Sequence, residues 1–328
     1  MQNPHITWAI NALKNYGYLI QQAIPEKIQS TPWSEVYRFA TDQGLVYLKM
    51  VPPALALEAK ITTLLHDQFH AAVPEVIASN TELNCFLMKD AGRPLRDLLK
   101  QQFDTALLCK AINQFTSIQL AVADHVNIFL DIGVPDWRLD KLPDLYRKLL
   151  SKKDILIADG LLEIEISELE RWHPTVSDLC KKLSGYSIKQ TLVQCDFHDN
   201  NILVNGMLQN ITFIDLGEIV ISHPFFSLIG CLRQAKLHHA LTEEDHAYLQ
   251  LMDACLKNYM TFEPKKYLLD VFAIAQTLWL VYEALAQHRL MLACDKARFM
   301  SFQRHGKLSD RLKEFMTACI ALVGPSPL

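Results

Sequence analysis

The chain has 328 residues, half of them hydrophobic, enough for a substantial core in one large or two moderate domains. Its formal net charge is −4, with acidic and basic residues well mixed, so no basic stripe marks a nucleic-acid surface. Eight cysteines stand singly with no CxxC pair, which suits reduced thiols in a cytoplasmic protein better than a disulfide framework or a zinc site.

Residues 1–18 have no basic n-region and no unbroken apolar core; the segment is read as an amphipathic helix with Ile6, Ile10 and Leu13 on one stripe, not as a signal peptide. Residues 24–29, 36–40 and 46–50 are short and β-prone, and the turn Asp42-Gln43-Gly44 makes the last two a hairpin. Pro52-Pro53 breaks the chain before a helix over 55–69, with Leu57, Ile61, Leu64 and Leu65 at helical spacing. Two further strands are expected at 76–78 and 85–88. After Met88 the pattern turns helical, over 94–183 and again over 225–321. The longest apolar stretch, Val271 to Ala286, contains Gln276 and Glu283 and is read as a core helix too short to span a bilayer. There is no repeat and no Gly/Ser linker. The expected organisation is therefore two closely hinged lobes: a small sheet lobe at 1–89 and a larger, mostly helical lobe at 90–328.

One interruption of the helical region carries chemistry. Asp196 precedes Asn201 by five positions, the apolar run Ile202-Leu203-Val204 follows, and Asn205-Gly206 signals a turn into a second run that ends on Asp215. Two short strands would return Asp215 beside Asn201. Phosphoryl transfer needs one carboxylate at the acceptor hydroxyl, plus an amide and a second carboxylate holding Mg²⁺ on nucleotide phosphates. The alternative is a hairpin that happens to carry polar residues.

These residues resemble the aminoglycoside phosphotransferase and choline kinase family, a branch of the protein-kinase-like fold. The family pattern H-G-D-x-H-x-x-N stands here as Gln194-Cys195-Asp196-Phe197-His198-Asp199-Asn200-Asn201, followed by Ile214-Asp215. Upstream, Val46-Tyr47-Leu48-Lys49 resembles the strand of the nucleotide lysine, Glu58 its ion-pair partner, and 86–92 the interlobe hinge. The resemblance implies an α+β, bilobal fold with an antiparallel-sheet N-terminal lobe, and an ATP- and Mg²⁺-dependent transfer to a small-molecule hydroxyl. Asp196 would be the catalytic base and His198 would order its loop. Asn201 and Asp215 would hold the metal. Lys49, Glu58, Ser34, Met88, Lys89 and Ala91 would serve the nucleotide, with adenine against the backbone of Lys89 and Ala91.

The family's Asp-Pro-x-x-Asp-Leu stands as His223-Pro224-Phe225-Phe226-Ser227-Leu228, where Ser227 is expected to cap the next helix. Amino alcohols, sugars and aminoglycoside-like compounds are the acceptor classes in view. Glu218, Asp199, His238, His239, Glu283 and Trp279 are candidates to line their site, the acidic ones suiting a cationic amine alcohol. No nucleic-acid or membrane partner is expected. Two other readings stay open: a catalytically silent kinase-like binding protein, motivated by Gln194, Cys195 and the glycine-free loop 30–35, and a protein kinase. The latter lacks room for an activation loop between Asp215 and Pro224.

Overall fold

A computed structural model of the protein describes residues 3–22, 24–206, 209–302 and 304–323. Helix α1 (Pro4–Asn15) leads into strands β1 (Glu26–Ser30), β2 (Glu35–Thr41) and β3 (Gly44–Met50). Helix α2 (Glu58–Phe69) follows, then β4 (Val76–Asn80), β5 (Cys85–Lys89) and β6 (Arg93–Pro94). A helical stretch comprises α3 (Leu95–Gln101), α4 (Thr105–Val122), α5 (Val126–Asp131), α6 (Leu142–Leu150), α7 (Lys153–Asp159), α8 (Glu163–Arg171) and α9 (His173–Leu183). Strands β7 (Thr191–Val193), β8 (Ile202–Asn205), β9 (Asn210–Phe213) and β10 (Val220–Ser222) interrupt it. The chain continues through α10 (Phe225–His239), α11 (His246–Lys257), α12 (Lys265–Ala293), α13 (Lys296–Ser301) and α14 (Lys307–Val323). This is the α+β architecture expected, with an antiparallel sheet at the N-terminal end and a mostly helical remainder.

The chain forms two compact units, each discontinuous in sequence. The first collects 1–101, 199–218 and 291–302; the second collects 102–198, 219–290 and 303–328.

The first unit is built on a five-stranded antiparallel sheet in the order β1-β2-β3-β5-β4. Helix α1 starts cleanly because Asn3 accepts the His5 N–H at 3.0 Å and Pro4 opens the first turn with no N–H to lose. Its Ala9, Ala12 and Leu13 pack with Phe39, Val46, Leu48 and Leu87 in one core, and Ile6 and Ile10 lie against it. Each leucine fully buried there is worth about 1.5–3 kcal/mol, which outweighs the cost of ordering its side chain. The stripe read from the sequence is therefore the buried one. Helix α2 begins at Glu58 rather than near Leu55, because Pro53–Leu55 forms a separate 3-10 turn.

A second, three-stranded sheet orders β6-β8-β9 in the same unit. Gly92 makes it possible. Its φ is +113°, and a Cβ there would sit 2.3 Å from the Val204 carbonyl oxygen. Phe213 then donates its N–H to Ala72 O at 2.7 Å, which ties the hairpin to the segment after α2.

In the second unit β7 pairs antiparallel with β10. Gln119 of α4, fully buried, spans the layers beneath them. Its amide donates to Leu192 O at 2.9 Å and Pro224 O at 3.1 Å, and its oxygen accepts from Tyr259 Oη at 3.0 Å. At the start of α14, Asp159 accepts the N–H groups of Gly306 at 3.0 Å and Ser309 at 2.8 Å, satisfying the exposed donors of the first turn.

The reading of 271–286 needs one correction. Helix α12 runs 29 residues and is long and apolar enough to cross a membrane, because the helix continues on both sides of the apolar run. It is nonetheless the core helix expected, since 67% of its most apolar window is buried inside the protein.

Gly92→Ala should destabilise the protein by about 2 kcal/mol or more, since it adds a positive-φ penalty to a backbone clash. Denaturant titration checks this; a midpoint equal to wild type would mean that the β6–β8 approach is not tight.

Candidate active site

The first unit brings Lys49, Glu58 and Asp215 together. Alternation along β3 sends Val46 and Leu48 into the α1 core, so Lys49 emerges on the opposite face, 6% exposed. Its ammonium lies 2.6 Å from Glu58 Oε1 and pairs as well with the Asp215 carboxylate. Burial alone would lower the ammonium's pKa, but Asp215 and Glu58 outweigh it and hold Lys49 charged, above its ordinary range. The Leu216 N–H donates to Glu58 Oε1 at 3.2 Å, so Glu58 holds both the lysine and the backbone after Asp215.

Asp215 itself sits at φ +65°, a left-handed conformation that costs a non-glycine residue about 1 kcal/mol or more. Asn201 is 5% exposed at the end of the turn Asp199–Asn201, and its carbonyl accepts the Ile214 N–H at 3.0 Å. The hairpin thus returns the chain beside Asn201, as the two apolar runs imply. Asp199, a candidate for the acceptor site, is buried against Arg96 of α3, with Arg96 Nε donating to Oδ1 at 2.8 Å. It braces the turn that carries Asn201. No pattern around Arg96 pointed to this pairing.

Ser34 is buried and engaged inside its own loop. Its N–H donates to Thr31 Oγ1 at 2.9 Å, and Gln29 Nε2 donates to its hydroxyl at 3.2 Å. The segment 291–302 clasps the same loop: Arg298 donates to Thr31 O at 2.9 Å, and Trp33 meets Phe302 edge-on at 5.6 Å. A loop without glycine is thereby shaped by hydrogen bonds and a distant arginine that the sequence did not single out. At the end of β5, Met88 is half-buried, Lys89 donates its N–H to Glu75 O at 3.0 Å, and Asp90 donates to Leu45 O at 3.1 Å. Strand pairing stops there, and Ala91 follows in irregular backbone.

The second unit holds Asp196 and His198. His198 Nε2 lies 3.1 Å from Asp196 Oδ1; the histidine is nearly buried and the carboxylate half exposed. Phe197 stacks on Phe115 with centroids 3.9 Å apart, turning Asp196 outward. Ser227 secures the loop from below. Its hydroxyl accepts the Gln194 N–H at 2.9 Å and donates to Gln194 O at 3.1 Å. This corrects the expectation that Ser227 caps α10; the helix begins at Phe225, two residues earlier, so the hydroxyl is available to the loop. His223 is fully buried, and burial pushes its pKa down to about 3, so it stands neutral where the family places an acid.

Beside Asp196 the second unit opens a cavity of about 650 Å³ whose wall includes Cys195, Trp279, Glu283 and Gln287. Cys195 accepts a hydrogen bond from Tyr282 Oη at 2.9 Å, so the side chain that replaces a glycine is held at the wall. Trp279 and Glu283 were among the acceptor candidates. His238 and His239 are not brought to the wall, and His239 packs on Phe103 instead, 4.9 Å between rings. Glu218 follows Asp215 in the first unit. Burial raises Glu283 to about 7; the Gln287 amide, donating at 2.8 Å, opposes this and Asp196 adds to it.

The sequence matches the profile of the phosphotransferase enzyme family over residues 29–256. Among solved structures it resembles an ethanolamine kinase from Plasmodium vivax (TM-score 0.62, 11% identity, covering 96% of this chain and 89% of that one). It also resembles the amicoumacin kinase hAmiN bound to AMP-PNP, Ca²⁺ and Ami (TM-score 0.61, 15% identity, 96% and 93%). A third is the streptomycin–ATP–APH(2")-IIa ternary complex (TM-score 0.59, 14% identity, 96% and 99%). At these identities the likeness is one of fold. No curated protein matches the sequence.

Glu283→Gln should raise stability above neutral pH. A carboxyl whose folded pKa is raised from 4.5 to about 7 costs nothing below the lower value, and its penalty grows up to about pH 7 and then stays. The mutant should therefore gain progressively on wild type between pH 5 and 8, by about 1–3 kcal/mol at the plateau. Thermal melts across that range check it; a pH-independent difference would contradict the raised pKa.

Proposed function

Because the chain belongs to the phosphotransferase enzyme family and is thus a small-molecule phosphotransferase, we propose that it moves the γ-phosphate of ATP to a hydroxyl group, in the cytoplasm. The observation that carries the reading is the buried contact of Lys49 with Glu58 and Asp215, which keeps one ammonium fixed and charged where a nucleotide's phosphates would need it. In this division of labour, lobe 1–89 binds nucleotide and lobe 90–328 carries catalysis and the acceptor. Amino alcohols, sugars and aminoglycoside-like compounds are the acceptor classes that the family brings into view.

Asp215 and Asn201 supply oxygen donors, a set that fits a hard cation such as Mg²⁺, which takes one or two protein ligands and completes its shell with phosphate oxygens and water. Among the described residues there is no group of three or more Asp, Glu, His or Cys side chains that could hold a metal ion by themselves. When bound, Mg²⁺ would neutralise phosphate charge. Lys49 would do the same as a point charge, with Glu58 fixing its direction. Adenine would rest against Met88, with the Lys89 and Ala91 backbone at its edge, and the Ser34 loop would lie over the phosphates.

Asp196 would accept the acceptor's hydroxyl proton as that oxygen bonds to the γ-phosphorus and the bond to the β-phosphate oxygen breaks, releasing ADP. His198, beside Asp196, would orient its carboxylate. The short stretch from Asp215 to α10 disfavours a protein substrate, since it leaves no activation segment.

Asp196→Asn should leave nucleotide binding intact while lowering turnover by roughly 10²–10⁴, the scale of a lost general base. Asp215→Ala should instead weaken Mg²⁺-dependent ATP binding, and more than Glu58→Ala does, because it removes a direct ligand. Calorimetry with ATP, with and without Mg²⁺, and ADP release across a panel of hydroxyl acceptors separate the two. Wild-type turnover in Asp196→Asn would refute the assignment.

A further inference from the structure

The cavity beside Asp196 is ringed by positive charge. Arg233, Lys236, Arg304, Lys307 and Arg311 line it, against two acids, Asp196 and Glu283. Neighbouring carboxylates outside the wall cancel only part of this. Lys236 is matched by Glu243 at 2.6 Å. Arg311 and Arg233 share a single carboxylate, Glu314, at 2.6 Å and 2.9 Å, which leaves one positive charge over. Among the described residues, no carboxylate lies within ion-pair distance of the exposed Lys307 ammonium.

The wall itself thus presents five cations to two carboxylates, and the surplus rests on Lys307 and on the one charge left over from the Arg233–Arg311 pair. Of the two wall carboxylates, Asp196 is committed to the reacting hydroxyl, and Glu283, with its pKa near 7, carries only part of its charge at neutral pH. The surplus is also pre-organised. Arg233 lies over the Trp279 ring at 4.7 Å while held by Glu314, so its guanidinium loses little freedom when it meets a ligand. A cationic acceptor would be repelled here. A planar or tetrahedral oxyanion would find guanidinium forks and an ammonium already facing it.

We propose that the acceptor is a hydroxy compound bearing a carboxylate or phosphate group, seated by Arg233, Arg304, Lys307 and Arg311 so that its hydroxyl reaches Asp196. This rests on the phosphotransferase reading for the transfer itself, but the charge selectivity of the cavity can be tested without turnover. Four probes on one skeleton serve: glucose, glucosamine, gluconate and glucose 6-phosphate. With MgATP, ADP release should be at least tenfold more efficient, in kcat/KM, for one of the two anionic probes than for glucosamine, and which of the two leads identifies the anion. Without nucleotide, calorimetry should show the same order of binding. Lys307→Glu should weaken anion binding at least tenfold and glucose binding far less. Lys307 is exposed at the first turn of α14, where a glutamate favours the helix, so a loss would not reflect misfolding. Anion binding sensitive to Lys307→Glu without any ADP release would uphold the anion site and refute the transfer reading. Preference for glucosamine or glucose, or failure of both anionic probes to bind, would overturn the proposal.

Discussion

The buried meeting of Lys49, Glu58 and Asp215 is the constraint around which the first unit is arranged. Taking one ammonium and one carboxylate out of water costs several kcal/mol per ion, and mutual attraction offsets this only with good geometry. The geometry is supplied from three separate stretches of chain. Strand β3 presents the lysine on the face away from the α1 core, α2 places Glu58 in its first turn, and the β8–β9 hairpin delivers Asp215. A buried ion cluster of this kind is weak evidence for stability. It is better understood as the reason for the surrounding exactness, including the unfavourable φ of Asp215 and the glycine at position 92 that lets β6 and β8 approach.

The second unit solves a different problem, that of holding a loop whose candidate carboxylate, Asp196, stays half exposed to water. Asp196 is half exposed, yet its neighbours are fixed in every direction: Gln194 by Ser227, Cys195 by Tyr282, Phe197 by Phe115, and Asp196 itself by His198. Buried hydrogen bonds to the backbone cost little here because both partners are satisfied. The family's paired acids after the second strand are replaced by a neutral, buried His223 and by Ser227, so the same loop is braced without charge. The chain passes from one unit to the other between His198 and Asp199, so a single loop carries both the acceptor-side and the metal-side candidates.

Much of this was legible because it is local. The Asp196–Asn201 spacing, the turn at Asn205-Gly206 and the period-2 pattern of β3 depend only on neighbouring residues, and the elements appeared within a few residues of where they were expected. What escaped was long-range pairing. Arg96 with Asp199, Arg298 with Thr31, and Arg233 with Glu314 join residues far apart in the chain, and a lone arginine carries no signal of its partner.

The sequence alone therefore determined the fold class and the family, and it offered the candidate site residues, because hydrophobic period and motif spacing are short-range properties. The tertiary structure decided the electrostatics. Acidic candidates read from the sequence suggested a cationic acceptor, but Asp199 is spent on Arg96 and Glu283 is raised towards neutrality, while Arg233, Arg304, Lys307 and Arg311 converge from α10, α14 and the turn before α14. The sign of the charge that a cavity offers is a sum over side chains brought together by folding, and no spacing along the chain records it.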